Sequence, residues 1–119
     1  MIIVKTKSFE AKYNKFSSVK RFKEYVDYKL TLIENNEIIN SKPFTGDHIP
    51  KGINIRITRI HEKYRLLYVV LEFVGKTVVS LIDRDHAYGN KKNMPYVKEL
   101  IEQVNIEKEN CQNSKRKRK

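Results

Sequence analysis

The sequence predicts a small α+β fold in one domain, and three observations carry that expectation. The chain has 119 residues, and two independent cores would each fall in the size range where burial barely offsets chain entropy. Apolar residues recur every three or four positions in the first third of the chain and again near its end. Between those stretches the apolar period changes to two, the signature of strands.

Ile2, Ile3 and Val4 are β-branched and precede Lys5, which predicts a short buried strand. Ser8 stands ahead of Phe9, Tyr13 and Phe16, whose spacing predicts a short helix capped by Ser8 and ending near Ser17. Ser17 and Ser18 can cap a longer helix, with Val19, Phe22, Val26, Leu30 and Ile33 as its core-facing stripe and Asn35 and Asn36 at its end. From Glu37 to Gly52 the turn formers Ser41, Pro43, Gly46, Asp47 and Pro50 predict a long loop.

Ile53, Ile55 and Ile57 then alternate with Asn54, Arg56 and Thr58, which predicts a half-buried strand that bulges or ends near His61. Tyr64 to Phe73 is apolar on both faces, as a central strand requires. After a turn at Gly75 and Lys76, Thr77 to Ile82 forms the last strand of a three-stranded antiparallel meander. Asn93 and Pro95 open a final helix whose stripe is Val97, Leu100, Ile101 and Val104 and whose end falls near Glu109. The expected organisation is therefore α+β: an N-terminal strand, two helices, a three-stranded antiparallel meander and a C-terminal helix. It forms one domain over residues 1–109, with a disordered basic tail over 110–119.

Lys and Arg number 25 against 14 acidic residues, a net charge of +11 that predicts attraction to polyanions and a salt-sensitive affinity. The run Lys115 to Lys119 carries five of those charges, so six remain on the rest of the chain and the tail is not the sole source of basicity. Cys111 is the single cysteine, which excludes an intrachain disulfide and the paired-cysteine zinc spacings and fits a reducing cytoplasm. Met1 to Lys7 holds too short an apolar run for a secretory leader, and no stretch approaches membrane-spanning length. The four glycines form no phosphate loop, dinucleotide fingerprint or nucleophile elbow, so neither a nucleotide nor another small-molecule cofactor is expected. His48, His61 and His86 are scattered without clustered carboxylates or thiolates, and no metal site is expected.

Helices gathered on one face of a sheet would leave arginines on the other face as a positive surface for phosphates. Arg56, Arg59, Arg65 and Arg84 are the candidates. Arginine suits the role because its planar fork donates two hydrogen bonds to one phosphate and stays protonated. Arg65 is the least ordinary of them, since its strand is otherwise apolar. Metal-free RNA cleavage also needs a base for the 2′-hydroxyl proton and an acid for the leaving oxygen. His86 and Tyr88 supply proton-transfer groups, and Tyr88 could alternatively stack on a base. His48 and His61 have weaker claims.

Three stretches carry a family resemblance: Lys42-Pro43-Phe44-Thr45-Gly46 before the meander, Tyr64-Arg65-Leu66-Leu67-Tyr68 in its central strand, and Leu81-Ile82-Asp83-Arg84 at its end. With the order of elements, they make residues 2 to 90 resemble the RelE/ParE superfamily of bacterial toxin–antitoxin toxins. The segment between Gly52 and Tyr64 is longer than the compact family pattern, and the last helix extends beyond many members. The resemblance to RelE-like members implies ribosome-dependent endoribonuclease cleavage of mRNA in the ribosomal A site, with Arg65, Arg84, His86 and Tyr88 catalytic. Arg56 and Arg59 are then RNA-binding. It also implies a cognate antitoxin protein that covers the basic surface and folds on binding. The alternative is a ParE-like inhibitor of DNA gyrase or a non-catalytic nucleic-acid-binding protein, either of which needs the charge but not His86.

Overall fold

A computed structural model of the protein describes residues 1–16, 18–19, 21–37, 39–45, 49–61, 63–83 and 94–117, with side chains to residue 110. The chain runs β1 (Ile2–Lys5), α1 (Lys7–Lys15), α2 (Phe22–Glu34), β2 (Lys42–Phe44), β3 (Ile55–Arg59), β4 (Tyr64–Leu71), β5 (Lys76–Asp83) and α3 (Met94–Lys117). The class is α+β, built on one five-stranded mixed sheet in the order β1-β5-β4-β3-β2. β1 runs parallel to β5, and each of the other neighbouring pairs is antiparallel.

The N-terminal strand lies at a sheet edge and is not buried as expected: Ile2 is 61% exposed, while Ile3 and Val4 are half-buried. It pairs only with the first half of β5, from Ile2 opposite Lys76 to Lys5 opposite Val79. Thr6 still donates its backbone N–H to Val79 O, and its side-chain Oγ1 accepts from Phe9 N at 3.1 Å, so Thr6 and not Ser8 caps α1. Ser8, inside the helix, turns its hydroxyl to the Glu99 carboxylate on α3 at 2.5 Å. Neither expected serine caps α2: its cap is Arg21, in the left-handed region at φ 64 with no side-chain cap bond, and Ser17 lies outside the described residues.

Alternation along the strands sorts the core into two layers. Phe9 of α1 and Phe22, Val26, Leu30 and Ile33 of α2 pack on Leu66, Tyr68, Val79 and Leu81 on one face of the sheet. On the other face, Val97, Leu100 and Val104 of α3 pack on Leu67, Val69, Val78 and Ile82. Each such side chain removed from water contributes about 1.5–3 kcal/mol. The helices are therefore not gathered on one face, and the expected open face is covered by α3 over β5 and β4. The reason is visible in β4 and β5, whose residues are apolar on both sides and need cover on both.

The expected loop from Glu37 to Gly52 contains β2, an edge strand pairing Lys42 to Phe44 with Ile57 to Ile55. Pro43 is admissible there because an edge strand has one side free of ladder bonds. The polar side of β3 is likewise covered: Thr58 is buried and donates to Asn40 O at 2.7 Å. Helix α3 continues beyond Glu109 to Lys117, so helical backbone enters the stretch expected to be a disordered tail. Residues 105–117 contain no Gly or Pro, and Glu, Lys, Gln and Arg are good helix formers. Asn93 lies outside the described residues. Among the described residues, no helix is long and apolar enough to cross a membrane.

Candidate functional site

Arg59 closes β3 and Arg65 follows the first residue of β4, and the two stand directly opposite each other across the ladder. Arg65 has the parity of Leu67, so this pair lies on the α3 side of the sheet. Like charges directly opposite on adjacent strands repel, at a cost of up to about 1 kcal/mol, and an anion between them reverses that penalty. Arg59 is exposed. Arg65 is half-buried, and its Nη1 donates to His61 O at 2.8 Å and Tyr64 O at 3.0 Å, which folds the guanidinium back over the β3–β4 turn.

The chain also leaves β5 at this end of the sheet, because Asp83, the last residue of β5, pairs with Tyr64. Arg84, His86 and Tyr88 follow it in sequence and lie outside the described residues, as does His48. Arg59 and Arg65 are thus brought together, at the strand end from which the other three expected site residues depart. Tyr64 itself is buried, and burial first, then the Asp83 charge, raises its pKa above the usual phenol value of 10.0.

Arg56 has a different setting from the one expected. It pairs with Tyr68 and so faces α2 rather than α3. Its Nε donates to Ser41 Oγ at 3.1 Å and its Nη2 to Ser41 O at 2.9 Å, while Tyr68 Oη shares the same serine hydroxyl at 2.8 Å. These bonds hold the segment leading into β2 against β3, an architectural role for Arg56.

Lys12 was not legible as a special residue. β1 stops pairing at Val79, leaving the next part of β5 with an unpaired edge, and α1 lies along it. Lys12 Nζ donates to Leu81 O at 2.9 Å and sits 3.5 Å from the centre of the Tyr96 ring at the start of α3. Burial lowers its pKa below 10.5, with the Asp83 and Glu99 carboxylates acting in the opposite direction and Lys15 adding to the lowering. Lys12 therefore bridges the end of β5 and the first turn of α3, the two supports of residues 84–93. Its spacing from Phe9 is that of any lysine beside a helix stripe. Only the tertiary fold, which puts a strand edge there, distinguishes it.

His61 is the other residue whose weight changes, since it forms the turn between Arg59 and Arg65 and its carbonyl holds Arg65. A groove of about 1010 Å³ opens at the opposite end of β4, lined in part by Ile39, Tyr68, Val70, Phe73 and Lys108. It lies away from the arginine pair, and its lining mixes apolar residues with Glu37, Arg56, Glu72 and Lys108, charges of both signs. Among the described residues, no group of three or more His, Cys, Asp or Glu is placed to hold a metal ion. No protein-family model matches the chain, and no curated protein or solved structure matches it significantly.

Proposed function

We propose that this protein is a RelE-like toxin of a toxin–antitoxin module, a ribosome-dependent endoribonuclease that cleaves mRNA. The observation that carries the reading is the cross-strand pairing of Arg59 with Arg65 at the sheet end where β5 hands the chain to Arg84, His86 and Tyr88. Two helices followed by the consecutive antiparallel strands β3, β4 and β5 support the RelE-like arrangement of the fold. The net charge of +11 suits an RNA substrate and an acidic antitoxin segment.

In this reaction the substrate's 2′-oxygen attacks the adjacent phosphorus, forming an O2′–P bond as the P–O5′ bond breaks. The 2′-hydroxyl proton passes to a base, and an acid protonates the departing 5′-oxygen. His86 and Tyr88 serve those transfers. Arg65 and Arg84 stabilise the charge that builds on the phosphoryl oxygens, and Arg59 holds the neighbouring phosphate.

A translation reaction containing ribosomes and a defined mRNA tests this by mapping new 5′ ends. Discrete cuts are expected, weakened about 100-fold or more in Arg65→Ala, the scale of losing one preorganised charge-stabilising donor. His86→Ala should lose the cuts with RNA affinity retained. Intact mRNA accompanied by gyrase-dependent DNA breaks would overturn the nuclease in favour of a ParE-like inhibitor.

A further inference from the structure

The β3–β4 turn is the meeting point of two surfaces. On one side stand Arg59 and Arg65. On the other, the His61 ring lies 6.2 Å from the ring of Tyr25 on α2, at an interplanar angle of 44°, and 5.9 Å from the buried ring of Tyr64. Tyr64 backs the pair from within, while Tyr25 is 41% exposed. Lys29 follows Tyr25 by four residues, one turn along α2, and is half-buried at the border of the stripe of Phe22, Val26, Leu30 and Ile33, while the exposed Arg21 caps the start of the helix. Asp27, an acid of the same helix, accepts a hydrogen bond from Tyr13 at 2.9 Å and is turned to that ring.

Aromatic rings beside cations are what a single nucleic-acid strand needs: bases stack on the rings and phosphates lie along the charges. We propose that Tyr25 and His61 form a stacking platform for an unpaired nucleobase of single-stranded RNA, next to the phosphate contacts of Arg59 and Arg65. The site deepens the RNA reading given above and depends on it. It adds an α2 contact outside the reacting residues, so it sets how tightly and in which register the strand lies, without taking part in bond breaking.

The platform separates base recognition from charge, and a pair of labelled probes reads the two apart. One is a single-stranded RNA of about ten nucleotides, within the range of single-strand site sizes. The other has the same length and charge but lacks bases. The intact protein should bind the RNA about tenfold more tightly than the abasic probe, the effect of about one stacked base. Tyr25→Leu and His61→Leu should each shrink that preference while leaving abasic binding unchanged, and Tyr25→Phe, which keeps the ring, should retain it. An unfolding midpoint for each variant confirms an intact fold.

Equal binding of the two probes by the intact protein, or an undiminished preference in a folded Tyr25→Leu protein, overturns the platform and leaves the RNA reading standing. Failure of both probes to bind overturns the two together.

Discussion

Arg56 and Arg59 lie three residues apart on β3, yet their surroundings divide them. Arg56 is anchored twice to Ser41, so Arg56→Ala should lower stability by about 1–3 kcal/mol through the lost bonds and the orphaned Ser41 carbonyl, read as a shift in denaturant midpoint. Arg59 is exposed, and Arg59→Ala should weaken RNA binding with little change in stability. A second residue-scale expectation concerns Lys12. Its pKa is lowered by burial, so between that value and 10.5 the folded protein has released a proton that the unfolded chain retains. Stability contributed by this site therefore rises with pH across that window. The stability of the natural protein relative to Lys12→Met should increase from neutral pH towards 10.5, and a flat difference would remove Lys12 from the account. Tyr13 and Tyr64 have pKa values raised above 10.0 and act in the opposite sense beyond it, but they are common to both proteins and cancel.

Among the elements, α3 decides which face of the sheet is available. Leu100 is fully buried in the layer that α3 closes, so Leu100→Ala should cost about 2–5 kcal/mol, measured by chemical unfolding. The same helix buries Glu107, whose Oε2 accepts from Lys76 Nζ at 2.8 Å and whose Oε1 accepts from Gln103 Nε2 at 3.1 Å. The stripe Val97, Leu100 and Val104 was readable because helical periodicity survives any tertiary setting. Its destination was not, because a period of 3.6 says that a face is buried and not against what. For the same reason the doubly apolar pattern of β4 held the clue to cover on both faces, while the polar residues of β3 pointed the other way. The buried Thr58 is polar because it bonds Asn40, and the half-buried Arg56 bonds Ser41. β2 was hidden by Pro43 and its turn-forming neighbours, which an edge strand tolerates and a central one does not. For the candidate site, Arg59 and Arg65 were each legible as strand arginines. Their pairing depends on strand register, and His61 gains weight only from the turn that register creates.

At the scale of the whole molecule, the two ends of β4 differ in chemistry. The β3–β4 end gathers Arg59, Arg65 and His61. The β4–β5 end presents Phe73, 97% exposed, at the groove whose lining mixes apolar residues with charges of both signs. A net charge of +11 attracts RNA to every face, so affinity alone does not reveal which end it occupies. The salt dependence does, because each phosphate neutralised at the interface releases condensed counterion. The slope of log affinity against log salt for a single strand changes by about 0.7 for each such contact. Arg59→Ala and Arg65→Ala should each flatten the slope by about that amount, and together by about twice it. Phe73→Ser, which alters no charge and sits at an exposed hairpin tip, should leave both slope and stability unchanged. Removing residues 115–119 should lower affinity through the general field and flatten the slope only by the contacts that run itself makes. A slope that follows the tail truncation but ignores both arginines would move the RNA off the β3–β4 end.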